Sequence, residues 1–144
     1  MMIQKTLYVV LAVLVTLSSC EDILEVPDIS NQSVSILAPT EGSTLTTNTV
    51  VFNWETVEGA TGYNIQVATP NFENAAQLNL DTIVRVDTLG KVLTQINQNL
   101  MNGTYEWRIK AFNSDYETVY TISGFQVNGD DNKTSGTMKR TFEH

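Results

Sequence analysis

The chain has 144 residues, 42% hydrophobic and 17% charged, with a formal net charge of −8. That length holds one domain of ordinary size, and the apolar share supports a packed core and argues against wholesale disorder. An acidic surface repels phosphate backbones, which sets nucleic acid aside as a partner, and the single cysteine, Cys20, excludes an intrachain disulfide.

Residues 1–19 have the form of an export signal. Lys5 supplies the positive start, and Leu7 to Val15 is an unbroken apolar run. That run is shorter than the roughly 20 residues a membrane-spanning helix needs. Leu17-Ser18-Ser19-Cys20 closes it. These four residues resemble the bacterial lipobox, and the resemblance implies that Cys20 is acylated with fatty chains such as palmitate and becomes the mature N-terminus. An ordinary secretory signal with a chance cysteine is the other reading. Residues 20–32 include Glu21, Asp22, Glu25 and Asp28, lack periodicity, and are read as an acidic tether. An acidic stretch after a lipidated cysteine is similar to the surface-export signals of Bacteroidota lipoproteins. The expected address is therefore the outer membrane, lipid-anchored, with display at the cell surface.

From Val34 the sequence alternates. Val34 to Pro39 predicts a first edge strand closed by proline, which has no amide hydrogen to give to a ladder. Glu41 to Asn48 is expected to be a turn region around Gly42. Val50, Phe52 and Trp54 then share one face of a strand, and Tyr63, Ile65 and Val67 share one face of the next. Thr69 to Asn74 reads as a loop and Leu78 to Val86 as a strand. Val92, Thr94 and Ile96 predict another strand, with Asn97 to Gly103 as a turn. Tyr105, Trp107, Ile109 and Ala111 alternate with Glu106, Arg108 and Lys110. Thr118 to Val127 is the last predicted strand, with Gly124 as a candidate bulge. Residues 33–128 thus form the domain, and residues 129–144 a polar tail. About seven short strands with turns between them and no amphipathic helix specify an all-β antiparallel sandwich.

The run Val50-x-Phe52-x-Trp54, then Gly59-Ala60-x-Gly62-Tyr63-x-Ile65-x-Val67, then Asn102-Gly103-Thr104-Tyr105-x-Trp107-Arg108, resembles a fibronectin type III module. Coverage runs from Val34 to Val127. The resemblance implies a fibronectin type III-like β-sandwich with Trp54 packed between the sheets. It also implies that Tyr105 is a corner tyrosine, its hydroxyl bonded back to the turn at 100–103. Trp107 and Tyr63 join them as core residues by their alternation. There is no Arg-Gly-Asp, so an integrin-type adhesion role is not implied. Lipobox and module together resemble small outer-membrane lipoproteins of Bacteroidota, which often carry several such modules; this chain reads as a minimal or shortened member.

Chemistry has few candidates. The only histidine is His144, the last residue, so no Ser-His-Asp set is expected, and no glycine-rich phosphate loop occurs. Asp130-Asp131-Asn132 lacks the spaced oxygen ligands of a calcium loop. No catalytic residue, metal site or cofactor is expected. Phe72, Phe112, Tyr116 and Tyr120 fall in loops or on outward positions and are the candidate ligand contacts. Thr82 and Thr88, in Asp81-Thr82-Ile83 and Asp87-Thr88-Leu89, resemble the Asp-(Ser/Thr)-apolar acceptor of Bacteroidota O-glycans. The expected function is a non-enzymatic, lipid-anchored envelope protein with structural or protein-binding roles. The alternatives are a carbohydrate-binding accessory of a glycan-uptake system, with an envelope polysaccharide as partner, and a module of a larger hydrolase.

Overall fold

A computed structural model describes residues 25–87, 90–91 and 93–129. The expected export signal at 1–19, Cys20, Thr88 and residues 130–144 lie outside the described residues. Among the described residues eight strands form two sheets: β1 (Ile36–Ala38), β2 (Ser43–Leu45), β3 (Thr49–Trp54), β4 (Gly62–Thr69), β5 (Gln77–Arg85), β6 (Gln95–Asn99), β7 (Gly103–Phe112) and β8 (Thr121–Val127). One sheet has the order β1-β3-β6 and the other β2-β8-β7-β4-β5. No described segment is helical, and the fold is the all-β, fibronectin type III-like sandwich that the alternation and the corner tyrosine imply.

The period-two runs bury the faces they predict. Val50, Phe52 and Trp54 of β3 face, across the two sheets, Tyr63, Ile65 and Val67 of β4 and Tyr105, Trp107, Ile109 and Ala111 of its neighbour β7, and all are buried. Phe52 crosses from the three-stranded sheet to meet Trp107 edge-on at 4.9 Å and Phe125 at 5.8 Å. Trp54 lies 5.6 Å from Tyr63, and Tyr105 stacks on Phe125. Such tilted and edge-on pairs add about 0.5–1.5 kcal/mol each beyond the burial of their area. The Tyr105 hydroxyl donates to the Met101 carbonyl at 2.9 Å, which closes the expected corner.

Several expectations are corrected. The region around Gly42 is not only a turn, because Ser43–Leu45 runs parallel to Phe125–Val127 as strand β2. The chain leaves one sheet at β1 and joins the other at β2, and the crossing is pinned at Pro39. Its carbonyl accepts from Trp107 Nε1 and from Ser123 Oγ, both at 3.0 Å. Strand β6 starts and ends later than expected, since Asn97 and Asn99 continue the pairing with β3 instead of turning. They point outward from a sheet edge, so amides that read as a loop are tolerated in a strand. Strand β8 begins at Thr121, because the Thr118 hydroxyl takes the Ala111 amide in place of a carbonyl (3.0 Å) and interrupts the ladder. Gly124 is no bulge: β7 and β8 keep one register from Gly103↔Val127 to Ile109↔Thr121. Its amide instead donates to Glu41 Oε2 at 2.6 Å.

Residues 27–32, read from sequence as the end of the tether, are fixed to the domain. Ile29 is fully buried. Asn113 Nδ2 donates to the Pro27 and Gly59 carbonyls, while Asn113 Oδ1 accepts from the amides of Asp115 and Tyr116. One buried amide therefore joins three segments. The exposed Asp28 carboxyl is held below its usual range by the Ser30 hydroxyl and then by the Ser30 amide.

Candidate functional site

The alternation that buries one side of β7 sends Thr104, Glu106, Arg108, Lys110 and Phe112 to the outer face of the five-stranded sheet. The registers set these side chains in rows. Arg108 lies beside Gln66 of β4, which lies beside Asp81 of β5. Lys110, Asn64 and Ile83 form the next row, and Phe112, Gly62 and Arg85 the one after. Gly62 is required there: a Cβ would stand 2.5 Å from Phe112 Cζ, so only glycine lets that ring lie across β4.

Arg108 is the centre of the face. Its Nε donates to Gln66 Oε1 at 2.8 Å. Its guanidinium carbon lies 4.1 Å from the Phe72 ring centre and 4.4 Å from that of Tyr120. Two loops are thereby clasped to the sheet, and each ring contact is worth about 0.5–1 kcal/mol at such a site. The Phe72 amide donates to Glu106 Oε2 at 2.9 Å, and the Tyr120 hydroxyl to Asn64 Oδ1 at 2.7 Å. Lys110 sits 5.1 Å from the Tyr120 ring and pairs with Glu117 at 2.6 Å. Arg85 covers the Phe112 ring at 5.1 Å. The described residues hold four cations, Arg85, Lys91, Arg108 and Lys110, and three of them lie on this face.

Beside Arg108 the sheet carries a shallow groove of about 330 Å³, lined by polar groups that include Asn64, Gln66, Asp81, Lys110 and Glu117. On the other side of the Arg108 row, a second depression of about 270 Å³ is bordered by Thr104, Glu106 and Gly124. Asn64 and Gln66 supply neutral donors and acceptors, and Lys110 and Arg85 supply positive charge. The arrangement suits recognition of a polar ligand by hydrogen bonds, on a rigid strand surface.

The structure brings together Phe72, Phe112 and Tyr120 of the four aromatic candidates. All three are half-buried, and each has a cation against its ring, so they hold cations and do not stand open as a stacking platform. Tyr116 is apart, 39% exposed on the turn that follows β7. Trp54, Tyr63, Tyr105 and Trp107 are buried in the core. The Val57 amide donates to the Tyr63 hydroxyl at 2.8 Å, and burial pushes that phenol upward from its usual pKa against the opposing effect of this bond. Thr82 is half-buried on the inner side of β5 next to Ile65. Thr88 and Cys20 lie outside the described residues. Among the described residues no three His, Cys, Asp or Glu side chains are grouped as metal ligands would be.

Sequence alone marks the rings but not Arg108, which alternation identifies only as outward. Nothing local in the chain reports that residues 72 and 120 meet over it.

No family model matches the sequence, and no curated protein matches it. Among solved structures the chain is similar to CopC from Methylosinus trichosporium OB3b, at 13% identity and TM-score 0.45, over 69% of this chain and 97% of that one. It is also similar to the fibronectin type-III domain of human fibronectin type III domain containing protein 3, at 13% identity and TM-score 0.45, over 74% of this chain and 94% of that one.

Proposed function

We propose that this chain is a non-enzymatic lipoprotein, anchored through Cys20 in an outer membrane of the Bacteroidota type, whose sandwich serves as a binding or structural module. Its working surface is the outer face of the five-stranded sheet. One observation carries this reading: that face gathers three of the four described cations of an acidic chain, and two of them, Arg85 and Lys110, line one groove with Asn64 and Gln66. A bare spacer has no need of such a concentration. The partner is an envelope protein first. An envelope polysaccharide is the second reading, favoured by the amide-lined groove and disfavoured by the covered rings.

Two measurements test the proposal. Cys20→Ala is expected to move the protein from the membrane fraction to the soluble one, and unchanged fractionation removes the anchor. A pull-down from envelope extract and a glycan array, run with the wild type and with Asn64→Ala/Lys110→Ala, locate the surface. A ligand retained by the wild type and lost by the double variant supports the face; equal retention by both places binding elsewhere.

A further inference from the structure

Among the described residues, strand β5 has a neighbour on one side only. The Val86 amide donates to the Thr61 carbonyl at 3.0 Å, in the same register that pairs Arg85 with Gly62. Antiparallel ladders alternate, so Val84, Thr82 and Leu80 also turn their backbone groups toward β4. Asp81, Ile83 and Arg85 therefore turn theirs to the open edge. The side chains of these three residues are exposed on the outer face, Ile83 at 53%. The one ion pair among the described residues is Lys110–Glu117, so neither Asp81 nor Arg85 has a charged partner there. The Asp81 carboxylate receives only a long contact, 3.4 Å, from Asn64 Nδ2.

Charges on an edge strand ordinarily keep other strands away. Here their spacing does the opposite for one partner. Asp81-x-Ile83-x-Arg85 is symmetrical about Ile83, with opposite charges at equal distances. We propose that two copies of this chain pair through antiparallel β5 edges centred on Ile83. In that register Asp81 faces Arg85 of the second copy, twice by symmetry, and the two Ile83 side chains meet at the two-fold axis. The three residue pairs exchange backbone bonds from the groups that β4 leaves free. Sliding one copy by two residues sets a charge against Ile83; sliding by four sets like charges opposite each other. Charge thus selects both the partner and the register.

The dimer joins two five-stranded sheets into one, with both outer faces on the same side. Asp81, Ile83 and Arg85 line the groove described above, so the two grooves become neighbours across the axis. A strand edge buries little area, and the pairing is correspondingly weak for free molecules. Confinement of anchored copies to a common surface raises their effective concentration.

Cysteine cross-linking of the purified full-length chain tests this. Facing residues of a hydrogen-bonded pair have Cα atoms about 5.5 Å apart, within disulfide range. Ile83→Cys is expected to give a disulfide-linked dimer under mild oxidation. Asp81→Cys, about 13 Å from its own copy in this register, is not. The wild type, with Cys20 its only cysteine, gives the background. Within the Ile83→Cys chain, Arg85→Asp or Asp81→Arg alone is expected to slow cross-linking about tenfold or more, and the two together to restore it. No dimer at position 83, equal cross-linking at 81 and 83, or failure of the double exchange to recover would each overturn the proposal.

Discussion

The two faces of β7 use aromatic rings for opposite purposes. Inside, Trp107 and Phe125 press against Phe52 and exclude water; the rings are volume. Outside, Phe72 and Tyr120 flank Arg108, and Phe112 lies under Arg85; the rings hold cations. One strand with a period of two supports both, because neighbouring residues never share an environment. The lesson concerns cost. An interior ring that is lost leaves a cavity that the opposite sheet cannot fill, whereas an exterior ring contact that is lost is replaced by water.

Breaking the interior first gives the largest effect. Trp107→Ala is expected to cost about 3–5 kcal/mol, with the bond to the Pro39 carbonyl lost as well, read as a fall in the urea midpoint. A loss under about 1 kcal/mol would show that the two sheets close over the gap. Tyr63→Phe comes next. It removes one oxygen and leaves the buried Val57 amide without its acceptor, at about 1–3 kcal/mol. The same residue sets an alkaline limit. Its phenol is raised in the folded state, so the unfolded chain releases the proton first as pH rises. The stability tied to Tyr63 is complete below about pH 10 and declines above it. Urea titrations from pH 8 to 11 are expected to show that decline in the wild type and a shallower one in Tyr63→Phe. Arg108→Ala, on the outer face, is expected to cost only about 1–2 kcal/mol from its two ring contacts, water taking over the bond to Gln66. Its clearer sign is faster amide exchange in residues 70–76 and 117–120, and protection unchanged there would mean that Arg108 does not clasp the loops.

Strands β3, β4 and β7 are legible in the sequence because each alternates over six or more residues with aromatic or branched side chains on one face. Strand β2 is not, since three residues carry no period and its partner is the last strand of the domain. Strand β6 is masked by its amides, which a sheet edge accepts as readily as a turn does. The candidate site divides in the same way. Phe72, Phe112 and Tyr120 stand out as rings without a period-two partner, so they are visible locally. Their grouping around Arg108 and Arg85 depends on registers between β4, β5 and β7, and on two loops that meet only in space. Asn113 shows the limit most plainly: it reads as an ordinary turn residue, yet its amide ties Pro27 and Gly59 to the turn that follows β7.

The seat of Ile29 in the core shortens the leash. If Cys20 sits in lipid, the chain between it and Pro27 spans at most about 25 Å when fully drawn out. The body of the protein is then kept close above the bilayer, with little freedom to swing. Any pull on the anchor reaches Ile29 and Asn113 before it reaches a strand, so that short lock, and not the sheet, is where mechanical load would first be felt.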